Sequence, residues 1–217
     1  KLFGVNLTEN FKTTYAARSI KEFWNRWHIS LSSWLRDYVY IPLGGNRKGT
    51  FRTYVNNFLT MLIGGLWHGA SWKFVFWGGM HGLGLAVHKL FKPLLSKVPD
   101  VWPVKALSWA LTMVCVSLLW VFFRAESWGD AWLIIKSIFT NFHWDYAPVF
   151  VQVRKVWCVF MLILIGSHAM PSRWWDSLGN LFVRSNWFVK LLVFILVVQL
   201  VLQFRSETVS PFIYFQF

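Results

Sequence analysis

Gly64-Gly65-Leu66-Trp67-His68-Gly69-Ala70-Ser71 sets one titratable side chain, His68, between two apolar runs. Before it, Tyr54 to Leu66 is apolar apart from Asn56, Asn57 and Thr60; after it, Trp72 to Val87 is apolar apart from Lys73 and His81. A charge held at hydrocarbon depth costs about 2.5–3.5 kcal/mol on insertion scales, so an ionisable group there reads as functional and cavity-facing. His68 is therefore the candidate reactive centre. Tyr54 to Trp67 is too short for the ~20 residues that cross a bilayer as a helix. It is expected to stop near mid-depth, with Gly64, Gly65 and Gly69 free to open the backbone where a cavity or protein covers it. Trp72 to Leu90 is the expected second limb. Gly65 to Gly69 and Gly78 to Gly82 have the small-xxx-small spacing that lets helices approach closely.

Composition supports a membrane setting. The 217 residues are 56% hydrophobic, with 16 Trp and 21 Phe, and the mean hydropathy is +0.43. Such aromatic rings concentrate at bilayer interfaces. The 22 Lys and Arg against nine Asp and Glu are scattered through short loops and form no polar stripe, which argues against a nucleic-acid partner. Under the positive-inside rule, the basic loops 44–53 and 88–105 are cytoplasmic and the balanced 124–148 segment is not; loop 171–186 returns to the cytoplasm. Cys115 and Cys158, both inside apolar runs, read as packing residues with no disulfide framework.

Ser19-Ile20-Lys21-Glu22 has the capping-box pattern. It opens a stretch whose apolar Phe23, Trp24, Trp27, Leu31, Trp34, Leu35 and Tyr38 recur at helical spacing, opposite Lys21, Asn25, Ser32 and Arg36. One amphipathic helix lying in the interface plane is expected. Pro42 and Gly44-Gly45-Asn46-Arg47-Lys48-Gly49 then make a basic turn. The glycine spacing is that of a P-loop, yet Thr50 stands where its Lys belongs, so nucleotide binding fails. Arg47 and Lys48 are left either at lipid headgroup level or in contact with a phosphate-bearing donor. Farther on, 104–123, 149–170 and 187–204 are each long enough to span, and 127–142 reads as a surface helix or loop. Asn6-Leu7-Thr8 fits a glycosylation acceptor by spacing alone.

Of the six histidines, His143 and His168 read as solvated or structural. His28 shares a helix side with Trp24, Leu31 and Leu35, with Arg26, Ser30 and Asp37 nearby to make a polar cavity plausible. His81 and His88 share a face, but no H-E-x-x-H pattern or acidic cluster supports a metal site. Lys73 is expected to snorkel to an interface in preference to facing the cavity. A lone intramembrane histidine suits general-base work on a hydroxyl that attacks an acyl carbonyl.

These residues resemble the membrane-bound O-acyltransferases, in the branch that includes alginate O-acetyltransferases. The resemblance runs through Phe23-Trp24-Asn25-Arg26-Trp27-His28-Ile29-Ser30-Leu31-Ser32, Trp34 to Tyr38, Tyr40-Ile41-Pro42-Leu43-Gly44-Gly45-Asn46-Arg47-Lys48-Gly49 and Leu66 to Ala70, dense over roughly 3–92, and resumes at Pro211 to Phe217. The I-P-L-G-G-N-R run favours the polysaccharide-acetylating branch over the teichoic-acid D-alanylating one.

The resemblance implies an all-α, polytopic membrane enzyme with an interfacial helix and a broken, short helix pair carrying the active-site His68. His28 would stand at the second position of the active-site pair. It implies an acyl thioester donor, acetyl-CoA, on the cytosolic side of a bacterial inner membrane. The acetyl group would pass to a periplasmic partner that modifies an exopolysaccharide. Residues 1–217 then read as the C-terminal catalytic half of such a domain, lacking its N-terminal helices. A transporter, built like other broken-helix sites, and a silent scaffold subunit are the competing classes.

Overall fold

The computed structural model describes residues 8–204, and every regular element among them is helical. Asn6 of the acceptor triplet and the Pro211–Phe217 stretch lie outside the described residues. The chain divides into two units, Lys1–Trp144 and Asp145–Phe217.

In the first unit, α1 (Ile20–Arg26) begins at Ser19, whose hydroxyl accepts the Glu22 amide. The Glu22 carboxylate takes the Arg18 amide in turn. The helix then stops. Trp27 is extended, His28 is left-handed at φ 46°, and α2 (Ile29–Leu35) starts afresh. The single interfacial helix expected over 19–38 is therefore two short helices followed by a π-helical turn, Arg36–Tyr40. The reason lies 12 to 20 residues upstream, where no local pattern reports it. The Lys12 amide and the Thr14 hydroxyl donate to the Arg26 carbonyl, the Ile29 amide donates to the Asn10 carbonyl, and the Asn10 side chain accepts from the Ser30 amide and hydroxyl. Backbone groups that a helix would have paired are thus paired by the preceding strap.

The long hairpin follows. α3 (Thr50–Trp67) and α4 (Trp72–Leu95) pack at a distance only glycine permits: a Cβ on Gly65 would meet the Phe74 carbonyl oxygen, and one on Gly78 the Met61 carbonyl oxygen. Gly64 and Gly65 are buried inside α3. They are contact points for neighbouring elements, not the opening in the backbone that the sequence suggested. The opening comes at Gly69, whose φ of 150° and close approach to the Phe74 ring exclude a side chain.

α5 (Trp102–Arg124) carries Pro103 in its first turn and is the one straight helix among the described residues long and apolar enough to cross a membrane. An Arg18–Asp100–Lys105 network ties the entry of α1 to the start of α5, and the Lys105 ammonium hydrogen bond holds the exposed Asp100 carboxyl below the usual carboxylate range. α6 (Trp128–Thr140) opens on a full capping box between Ser127 and Asp130. The Lys73 ammonium donates to the Ala125 carbonyl at 2.7 Å, joining the start of α4 to the end of α5.

In the second unit, the apolar run expected as a straight span over 149–170 is bent near Arg154, while the run over 187–204 is one continuous helix. α7 (Tyr146–Val153) and α8 (Lys155–Ala169) meet at 90°, and α9 (Ser172–Arg184) and α10 (Trp187–Phe204) at 118°; each pair counts as a span only if taken as one. Loop 171–186 is thus mostly helix α9, with Trp174, Trp175 and Leu178 against Arg173, Asp176 and Arg184. Cys115 is exposed on α5 and Cys158 partly so on α8, so neither is a core packing residue.

Adding a methyl group at Gly78, where backbone rather than side chain is in the way, should cost about 1–3 kcal/mol by overpacking. Gly166→Ala and Gly179→Ala meet nothing within 4 Å and should be neutral or mildly stabilising. Unfolding midpoints in detergent, several degrees lower for Gly78→Ala alone, check the contrast.

Candidate functional site

His68 caps the C-terminus of α3, its amide donating to the Gly65 carbonyl, and the Gly69 amide donates to the Leu66 carbonyl. Ser71, extended, then accepts the first amides of α4 from Phe74 and Val75. This tight turn holds the imidazole at 7% exposure among rings. Trp67 is edge-on at 4.8 Å between centroids, Phe123 at 4.9 Å and Trp77 at 5.3 Å. Phe123 reaches the site from α5, so the hairpin and the spanning helix build it together. An apolar enclosure of this kind strengthens whatever electrostatic contact forms inside it.

His28 approaches from the break between α1 and α2. Its ring meets Trp67 at 6.2 Å and Phe11 at 6.0 Å, so the two histidines singled out in the sequence share one tryptophan. Left-handed backbone at a non-glycine residue costs about 1–3 kcal/mol, and such residues persist where their surroundings fix them. At His28 the Asn10 clamp does the fixing. Its buried Nδ1 has no hydrogen-bond partner among the described residues.

Arg47 and Lys48 are not brought to this place. They sit on an exposed turn beyond the π-helical segment, where Gly44, Gly45 and Gly49 all have positive φ. Asn56 anchors the turn by donating from Nδ2 to the Gly45 carbonyl. A separate cleft of about 450 Å³ between α1, α2, the π-helical turn, α3 and α4 is lined by Lys21, Arg36, Trp24, Asn57 and Thr60 among others; neither His28 nor His68 lines it. The Arg36 guanidinium is already engaged by Asp37. No group of three or more potential metal ligands forms among the described residues.

What the sequence did not reveal is the place of His81. It is completely buried, stacked on Phe23 at 6.2 Å and perpendicular to Trp24 at 5.1 Å, with Trp77 at 4.7 Å. The Trp24 indole N–H donates to its Nδ1 at 3.2 Å. An accepting Nδ1 carries no proton, so the neutral ring holds its proton on Nε2. That Nε2–H and the indole N–H of Trp77 are both buried without a partner among the described residues. Each such orphan costs about 1–3 kcal/mol. The only signal in the sequence was His81's position thirteen residues after His68 in an apolar run; its neighbours come from α1, which no periodicity connects to α4.

The profile of the MBOAT, membrane-bound O-acyltransferase, family matches residues 2–125, reaching past the densest stretch of motifs to the end of α5. A probable alginate O-acetylase of Pseudomonas putida is 38% identical across the whole chain, which covers 47% of that protein. A peptidoglycan O-acetyltransferase of Helicobacter pylori is 44% identical over 63% of the chain and 26% of its own length. A teichoic acid D-alanyltransferase of Streptococcus thermophilus is 33% identical over 62% of the chain and 37% of its own length. The chain belongs to the membrane-bound O-acyltransferase family. It spans less than half the length of these curated relatives.

Trp24→Phe keeps the ring but strips the donor from His81 Nδ1, leaving a buried acceptor bare. It should destabilise the first unit by about 1–3 kcal/mol. The unfolding midpoint in detergent, compared with that of Trp34→Phe on the exposed side of α2, reads the effect.

Proposed function

We propose that this chain is the catalytic half of a bacterial inner-membrane O-acetyltransferase. It moves an acetyl group from a cytosolic thioester, acetyl-CoA, toward a hydroxyl acceptor for O-acetylation of an alginate-like exopolysaccharide, through a periplasmic partner. The observation that carries the reading is the placement of His68: an ionisable group at a helix break, walled by Trp67, Trp77 and Phe123, and joined to His28 through one shared tryptophan. The relatives favour acetyl over D-alanyl transfer, since the two acetylating proteins share 38% and 44% identity with it and the D-alanylating one 33%.

In this reading His68 is the general base. It takes the acceptor's hydroxyl proton as that oxygen forms a bond to the thioester carbonyl carbon. The carbon–sulfur bond then breaks, and the same proton passes to the departing thiolate, so the imidazole ends neutral as it began. His28 orients His68 or the acceptor across Trp67. The exposed Arg47–Lys48 turn is the candidate contact for the donor's phosphates, acting as a surface electrostatic site.

His68→Ala should lower transfer by about 10²–10⁴-fold, the usual contribution of a positioned proton-transfer group. Membrane insertion should be unchanged. The assay follows label from acetyl-CoA to an acceptor polymer or partner in bacterial membranes; transfer at the wild-type rate by the variant would overturn the assignment.

A further inference from the structure

We propose that the indole N–H of Trp77 and the Nε2–H of His81 together hold the carbonyl oxygen of the acyl group while His68 works on it. The inference rests on the acyl-transfer reading and deepens it. A thioester carbonyl attacked by a hydroxyl moves its π pair onto oxygen; the pair returns as the carbon–sulfur bond breaks. Between those events a negative oxygen needs donors already in place, because donors fixed in a dry site need no reorganisation.

Two donors meet that need. Trp77 is perpendicular to the His68 ring at 5.3 Å and touches His81 at 4.7 Å, so both stand within one continuous ring cluster with the base. Trp77 is 3% exposed and His81 fully buried, and neither N–H has a partner among the described residues. The tautomer that makes His81 a donor is set by Trp24, whose own N–H fills Nδ1. The ring contacts around the pair come from Phe23, Trp24 and Phe123, which have no acceptor to offer, and from His68, whose ring nitrogens accept from neither N–H. Asn56 also has a buried, unpartnered carbonyl oxygen, but its amide is committed to the Gly45 carbonyl and it makes no contact with these rings among those described. Two donors facing no acceptor suit a ligand that brings an oxygen with two lone pairs, which is what a thioester carbonyl becomes.

The test uses the complete protein in bacterial membranes with labelled acetyl-CoA as donor. Trp77→Phe keeps the ring and removes one N–H. It should lower kcat by about 10²-fold, as loss of one such donor does elsewhere, with the donor KM within threefold of wild type. A structural role would not make that split. Two acetyl-CoA analogues sharpen it: a trifluoromethyl ketone with methylene in place of sulfur takes up a hydroxyl to give the tetrahedral, oxygen-charged state, and an ethyl thioether has no carbonyl. Trp77→Phe should weaken the ketone at least tenfold and leave the thioether unchanged. His81→Gln, which retains an amide N–H near the Nε2 position, should keep more activity than His81→Leu at equal membrane levels. Unchanged kcat in Trp77→Phe, or equal weakening of both analogues, overturns the inference and leaves the two N–H groups to a buried water. Wild-type membranes that transfer nothing, with His68→Ala no different, bring down the acyl-transfer reading itself and this inference with it.

Discussion

The contact between α3 and α4 at Gly65 and Gly78 is the constraint on which the first unit depends. Two helices whose backbones touch cannot slide, since any Cβ at either position would run into a carbonyl of the other. That fixes the angle at which α3 must end and α4 begin, and so fixes where the His68 turn lies. It also sets the register along α4: with Gly78 against Met61 and Gly65, Trp77 falls beside His68 and His81 falls one turn farther on, against α1. The aromatic cluster is then completed by helices that arrive from both sides, α1 with Phe23 and Trp24 and α5 with Trp120 and Phe123.

Polar groups in this cluster are few and each is placed at a cost. His28 bears left-handed backbone, His81 is wholly enclosed, and Trp77 has a buried indole N–H. An interior chosen for stability alone would fill these positions with Leu or Phe, which demand no partner. All three are joined to His68 through one connected set of ring contacts. Lys73 shows the contrast. It lies five residues beyond His68 yet is satisfied by the Ala125 carbonyl, so its charge goes into holding α4 to α5.

Much of this was legible in the residues. Hydropathy and the interrupted run around Gly64 to Ser71 showed an all-helical membrane chain with a break at His68, because membrane helices and their interruptions are written in contiguous composition. The glycine spacing at Gly78 and Gly82 anticipated close helix packing. The break at His28 was not legible, since it depends on Asn10, Lys12 and Thr14 meeting backbone groups of Arg26, Ile29 and Ser30 across the chain. The bend near Arg154 was hidden for another reason: the Arg154-Lys155 pair interrupts the apolar 149–170 run without ending it, and hydropathy measures content, not direction.

His81 shows why the site was the harder part. In sequence it shares a helical face with His88, seven residues away, and no motif gives the pair a role. In space its companions are Trp24 and Trp77, and they decide its chemistry. An indole N–H aimed at Nδ1 makes Nε2 the donor, so the same residue type that would bind a cation as a free base is set here to meet an oxygen. That choice is made by α1, whose position depends on the strap over His28 and on the packing of Phe23 against Trp120. The segment that breaks the interfacial helix and the residue that would receive the acyl oxygen are therefore parts of one arrangement, joined through a single hydrogen bond from Trp24.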